Sequence, residues 1–174
     1  MEGDSKSRFA VTEILGALAV ILSLIFVGVQ IRENNRATMS ATASASIDTA
    51  SAWYYEVGNN EQSSALLYQY LTNPDSLTDE ERFQATMNLH GLFLLFQNSY
   101  YLANDGTLEQ TILHTLTEVV VGIKDLPGFH LFWKQRKSVF SEGFQDYVNS
   151  IIASERTVSE GLFDGTGSIP SSNK

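Results

Sequence analysis

The chain contains no cysteine among its 174 residues. Disulfide bonds, thiolate metal sites and cysteine nucleophiles are therefore excluded. The compartment stays open, because chains without cysteine are found in reducing and oxidising compartments alike.

Basic residues are also scarce: 11 stand against 20 acidic residues, which gives a formal net charge of −9. The acidic excess falls in the part of the chain that follows Ala37. Proteins that bind nucleic acid carry basic patches that neutralise phosphates, so nucleic acid is excluded as a partner. An acidic domain is also repelled by an anionic lipid surface, and we do not expect it to spread on one.

Sequence motifs of the common enzyme mechanisms are missing. No G-x-S-x-G pattern surrounds any of the serines, and the one S-x-x-K match, Ser171 to Lys174, falls in the polar C-terminal stretch rather than in a predicted helix. Gly91, Gly122 and Gly143 are isolated, so no glycine-rich loop is available to hold a phosphate. We therefore expect a protein without enzymatic activity and without a cofactor.

One long segment, from Ile14 to Ile31, carries no charge. As a helix it would span about 27 Å, which is enough to cross the hydrocarbon core of a bilayer. A cleaved signal peptide has a shorter apolar region with a small-residue cleavage site close behind it, and here the A-x-A sequences that follow the segment lie beyond charged residues. A buried core helix is the third interpretation, but the length and the flanking charges argue against it. We predict an uncleaved transmembrane helix.

Small residues interrupt this segment and would let another helix approach closely. They predict contact with a protein partner or with a second copy of the chain. The alternative is that they only reflect how common glycine and alanine are in transmembrane helices. These residues are Gly16, Ala19, Ser23 and Gly28.

The rest of the chain follows a helical period. Neither glycine nor proline occurs between Ile31 and Gly58, so the first helix is predicted to continue into the next domain. Helical spacing predicts that its packed face consists of Met39, Ala43, Ile47, Ala50 and Tyr54.

Further helices are predicted from start and stop signals along the chain. Thr78 and Glu81 form a capping box, and Ser141 is predicted to cap the last helix. The predicted helices after the first are 61–71, 78–102, one from about 107, 129–140, and one after 141.

The predicted fold class is all-α: one N-terminal transmembrane helix continuing into a soluble bundle of about five or six helices. The predicted organisation is an N-terminal tail at 1–13, the transmembrane helix at 14–31, a helical soluble domain at 32–154 and a flexible tail at 155–174.

Two stretches carry a resemblance to known sequences: FVGVQIRENNRA, from Phe26 to Ala37, and GFHLFWKQRKSVFSEGFQDYV, from Gly128 to Val148. The chain resembles a group of uncharacterised bacterial proteins, mostly proteobacterial, with a Q-I-R-x-N-x-x-A junction after an N-terminal transmembrane helix. The resemblance implies a single-pass protein of the bacterial inner membrane with a helical domain, and it indicates neither an activity nor functional residues. Basic residues recur after the helix in such junctions, which favours a cytoplasmic domain. Basic residues are balanced across this chain's own helix, so its sequence leaves the side undecided.

A first candidate site consists of polar residues within an apolar stretch of the longest domain helix. His90, Gln97 and Asn98 could line a small pocket, because buried polar groups need partners. The alternative is that they form hydrogen bonds between helices or lie on the outer face.

A second candidate is a metal site built from the three histidines, His90, His114 and His130, with Glu109 or Glu118. Helical di-metal sites use Glu-x-x-His pairs, which place both ligands on one face. No such pair occurs here, so we expect packing or surface roles and no metal.

A third candidate is the basic cluster Trp133, Lys134, Arg136 and Lys137. It could receive an acidic partner or lipid headgroups. The alternative is that Trp133 anchors the core, that Lys137 complements the helix dipole and that Arg136 pairs with Glu142 or Asp146.

Three hypotheses for function follow. The first is a non-enzymatic accessory or interaction subunit of a bacterial membrane complex. The second is a membrane-tethered ligand-sensing domain with a pocket near His90 and Gln97, and the third is a metal-dependent enzyme.

Overall fold

The computed structural model describes the backbone of residues 2–156 and the side chains of residues 13–156. Within that range the chain forms six α-helices and no strand: α1 (Glu2–Asn59), α2 (Glu61–Thr72), α3 (Asp79–Asn104), α4 (Gln110–Ile123), α5 (Pro127–Arg136) and α6 (Glu142–Ala153). Short 3-10 turns at Pro74–Ser76 and Lys137–Val139 precede α3 and α6. The predicted all-α class is confirmed. Most of the predicted flexible tail lies outside the described residues.

The chain divides into two compact units, an N-terminal unit (Met1–Ala41) and a bundle unit (Thr42–Lys174). The N-terminal unit consists of the first part of α1, which begins at Glu2, earlier than the predicted start at Ile14. All of its side chains from Glu13 onward are exposed. This helix is long and apolar enough to cross a membrane: its mean hydropathy reaches 2.6, and none of that window is buried.

Local signals define the helix starts in the bundle unit. The predicted capping box is confirmed: the Glu81 amide donates to Thr78 Oγ1 at 3.3 Å, and Glu81 Oε2 accepts from the Thr78 amide at 2.8 Å. Asn60 caps α2 in a related way, its Oδ1 accepting from the Ser63 amide at 3.1 Å. These bonds satisfy amides that a helix start otherwise leaves without partners.

The core of the bundle unit is unusually aromatic. Phe93 of α3 is fully buried at its centre. Rings from α3, α5, α6 and the turn before α6 lie with their centroids 5.0–6.4 Å away: Phe96, Phe129, Phe132, Trp133, Phe140 and Phe144. Aromatic pairs at such distances add stability beyond the area they bury. The aromatic cluster therefore joins three helices through one side chain.

The packed face of α1 within the bundle unit differs from the predicted one. Ala43, Ser46, Ala50 and Trp53 pack against the core, whereas Ile47 and Tyr54 are about half exposed. The Trp53 indole donates to Asn88 Oδ1 of α3 at 3.0 Å. This hydrogen bond joins α1 to α3, and the arrangement leaves the larger apolar side chains of α1 outside.

The start of α5 also differs from the prediction, which placed it at Phe129. Pro127 and Gly128 form its first turn, where proline is tolerated because the first amides of a helix lack intrahelical partners. Gly128 is buried against α2 so closely that an added Cβ would lie 1.9 Å from the Tyr70 carbonyl oxygen.

A buried lysine connects the C-terminal ends of α4 and α6. Lys124, at the C-terminal end of α4, donates from Nζ to the Ser154 carbonyl at 3.0 Å and to Asp125 Oδ1 at 3.2 Å. Helix C-termini leave carbonyl groups without intrahelical donors, and a cation is the favourable partner there. This contact holds the last turn of α6 against α4.

Candidate functional site

The three polar residues of the first candidate site do not share a pocket. Gln97 Oε1 accepts from the Ser141 amide at 2.8 Å and from the Ser141 hydroxyl at 3.1 Å, while Asn98 is exposed. Gln97 therefore forms a cross-link between α3 and the start of α6. Ser141 occupies the N-cap position as predicted, but its side chain does not cap α6, because the hydroxyl is engaged with Gln97 and Tyr101.

The third member, His90, is half buried in α3, and its ring centroid lies 5.1 Å from that of Phe140. Its Nδ1 has no hydrogen-bond partner among the described residues. Burial, together with the positive charge of Arg136, lowers the pKa of His90 below its ordinary value. The neutral imidazole is thus the form that the folded bundle favours.

The shift predicts a pH dependence of stability. In the unfolded chain the imidazole takes up a proton near pH 6.5, whereas the folded chain takes it up only at lower pH. The unfolded state binds more protons between the two values, so the free energy of unfolding should fall as pH drops from about 7.5 through this window and level off below the folded pKa. Chemical unfolding of the wild type and of His90→Gln across pH 5 to 8 measures this. We expect the wild type to lose more stability than the variant, and equal pH profiles would contradict the prediction.

Of the second candidate site, only His114 and Glu118 are brought together. His114 Nε2 lies 3.6 Å from Glu118 Oε1 on an exposed stretch of α4, and His130 is exposed on α5. Among the described residues no group of three or more histidine, aspartate or glutamate side chains could hold a metal ion.

The basic cluster is split between the core and the surface. Trp133 is buried and donates from its indole to Asn149 Oδ1 at 2.9 Å, as expected of a core anchor. Lys134 and Lys137 are exposed. Arg136 is half buried, but the predicted ion pair with Glu142 or Asp146 is wrong: within residues 13–156, Arg136 joins no salt bridge.

The small residues of the N-terminal unit fall on two sides of α1. Successive residues of an α-helix are rotated by about 100°, which places Gly16, Ala19 and Ser23 within an arc of about 60°. Gly28 lies about 120° away from Gly16 by the same geometry. The Ser23 hydroxyl donates to the Ala19 carbonyl at 2.8 Å, so it is satisfied within its own helix. One narrow face of small residues is thus available to a neighbouring helix.

A further feature, which the sequence did not reveal, is an open groove of about 330 Å³ between α3 and α5. We call it the α3–α5 groove; it is lined by Asp79, Arg82, Phe83, Thr86, Met87, Leu131, Gln135 and Arg136. A second cavity, of about 10 Å³, lies among apolar side chains of α3 and α4. Neither is lined by His90, Gln97 or Asn98. In the sequence, Arg82 and Phe83 follow directly after the capping box. That these two residues line one groove with Arg136 depends on how α3 packs against α5.

Comparisons with protein-family models, with curated proteins and with solved structures give no significant match to this chain.

Proposed function

We propose that the protein is a membrane-anchored, non-enzymatic accessory subunit of a bacterial membrane complex, with α1 as a single-pass inner-membrane anchor and the bundle unit beside a protein partner. The observation that carries the proposal is the apolar stretch of α1 from Ile14 to Ile31, whose side chains are all exposed. Soluble proteins rarely expose so large a contiguous apolar surface, and lipid or another helix is the environment that fits it.

The exposed apolar stretch of the anchor contrasts with the bundle unit, which buries Phe93 and the aromatic rings around it in one core. An apolar helix can lie in lipid because its backbone groups are bonded within the helix. Its association with another transmembrane helix depends on close packing, and small residues permit that approach. The face formed by Gly16, Ala19 and Ser23 is therefore the proposed contact with the partner.

Two glycines of the anchor provide a matched test. A Cβ added at Gly16 or at Gly28 meets no atom of the described residues within 4 Å beyond its own helix backbone, so both positions have open space for a substitution. Gly16→Ile places bulk on the proposed contact face, whereas Gly28→Ile places the same bulk on another face. We expect the wild type and Gly28→Ile to retain a stoichiometric partner, and Gly16→Ile to lose at least nine-tenths of it.

The measurement is purification of the tagged full chain from its own membranes in mild detergent, followed by quantitative mass spectrometry. All three chains must first be shown to remain with the membranes after an alkaline wash. Release of the wild type by that wash would contradict the anchor. Recovery of the wild type alone, or as copies of itself only, would contradict the accessory role, and equal partner recovery by both variants would contradict the proposed face.

A further inference from the structure

The α3–α5 groove brings positive charge into an otherwise acidic protein. Arg82 on α3 and Arg136 at the end of α5 line it from opposite sides. The side chain of Arg82 already has partners, because it pairs with Asp79 and donates to the Pro74 carbonyl at 3.4 Å. Arg136 has no acidic partner within the described residues, so one positive charge stays in excess in the groove.

Arg136 also carries a donor that the protein does not use. Its Nε is buried, yet no acceptor among the described residues receives its N–H. Buried donors almost always have acceptors, and a charged one is the most costly to leave without. The charge of Arg136 also lowers the pKa of the neighbouring His90, as expected of a cation that no nearby carboxylate neutralises. The guanidinium therefore keeps a positive charge that no carboxylate of the described residues compensates, which favours an anionic group in the groove that it lines.

The other residues that line the groove are polar in part, namely Asp79, Thr86 and Gln135, and apolar in part. Phe83 is 66% exposed although it is a large aromatic residue, and Met87 and Leu131 lie beside it on the two helices. Methionine and an exposed aromatic ring are common in surfaces that adapt to small apolar ligands. A volume of about 330 Å³ lies at the lower end of the range for small-molecule sites.

We propose that the α3–α5 groove binds a small organic carboxylate, with the carboxylate on the guanidinium groups of Arg136 and Arg82 and the apolar part against Phe83, Met87 and Leu131. A planar guanidinium matches a carboxylate in geometry and can bind it through two parallel hydrogen bonds. One excess positive charge beside Asp79 suits a single carboxylate better than a polyanion. This inference concerns the bundle unit alone and does not depend on the proposed partner of the anchor.

The test uses the full chain in neutral maltoside micelles and two probes of nearly the same shape, hexanoate and hexanamide. Binding is followed through the Nε–H resonances of the arginines, with that of Arg136 identified by its loss in Arg136→Lys. We expect hexanoate to shift the Arg136 resonance in a saturable way, and hexanamide to bind at least tenfold more weakly. Inorganic phosphate, which lacks an apolar part, is also expected to bind at least tenfold more weakly.

Arg136→Gln and Lys134→Gln remove the same charge from positions two residues apart, one in the groove and one exposed. We expect the affinity for hexanoate to fall at least tenfold in Arg136→Gln and less than twofold in Lys134→Gln. Far-UV circular dichroism checks that each variant folds; if Arg136→Gln does not, Arg82→Gln is expected to weaken binding at least threefold. The proposal is overturned if hexanoate gives no saturable shift, if hexanamide or phosphate binds as tightly, or if the groove variants bind like the wild type.

Discussion

Gly128→Ala is expected to destabilise the bundle unit by more than about 3 kcal/mol, near the upper end of what overpacking costs. The new Cβ would lie 1.9 Å from the Tyr70 carbonyl oxygen and 2.7 Å from the Leu71 Cα, distances that real Cβ atoms do not show. Both obstacles belong to the backbone of α2, so no side-chain rotation can relieve the clash. The helix α5 must move away from α2, and its buried residues Phe129 and Phe132 must move with it.

Thermal unfolding of the full chain in mild detergent, followed by circular dichroism, measures the effect. A loss of this size corresponds to a decrease in Tm of roughly 10 °C or more. Gly91→Ala is the matched control, since Gly91 lies exposed within α3 and an added Cβ meets nothing within 4 Å. There we expect stabilisation by about 0.5–1 kcal/mol, because alanine is the better helix former. A wild-type Tm in Gly128→Ala would show that α2 and α5 are less closely packed than described.

Phe93→Ala is expected to cost about 3–5 kcal/mol, the range found when a buried phenylalanine is truncated. The ring of Phe93 is 0% exposed, and the aromatic residues around it come from three helices, so no single side chain can move to fill the space. The surrounding rings would also lose their edge and tilted contacts with it.

Phe83→Ala on the same helix provides the comparison, because its ring is 66% exposed. The same truncation there is expected to change the free energy of unfolding by no more than about 0.5 kcal/mol. Denaturant unfolding of both variants, monitored by tryptophan fluorescence, gives the two values directly. Similar losses in the two variants would mean that the aromatic cluster does not organise the core.

The sequence predicts those features of the fold that depend on neighbouring residues. The capping box at Thr78 and Glu81 and the ends of α2 follow from signals within a few residues, and both are found where they are expected. The exposed apolar stretch of α1 is predicted in the same way from hydropathy alone.

The contacts between helices could not be predicted from the sequence. Ile47 and Ser46 both fit a helical period, and only the approach of Asn88 to Trp53 shows which face of α1 is packed. Pro127 and Gly128 read as a helix break, although together they start α5 and permit its contact with α2.

The partners within the candidate site could not be predicted from the sequence. A sequence shows which side chains can form hydrogen bonds, but it does not show which residues they bond to. The sequence indicates that Gln97 is a polar residue that needs a partner, but that partner, Ser141, lies 44 residues further along the chain. Arg136 was expected to pair with an acid close in sequence, and it instead lines a groove with Arg82. The partner of Gln97 and the position of Arg136 both depend on tertiary packing. The spacing of residues within one helix does not predict such packing.

The position of the aromatic cluster along the chain has a consequence for synthesis in the cell. Phe93 is enclosed by rings from α5 and α6, so the core cannot close until residues as late as Phe144 have been made. The apolar stretch of α1 is translated long before that: at ordinary rates, roughly 6 to 24 s separate Ile31 from Ile151. During that interval the nascent chain presents the apolar α1 segment with no folded domain beside it. With α1 as the proposed membrane anchor, we expect the membrane-targeting machinery to engage it during translation, before the bundle unit folds.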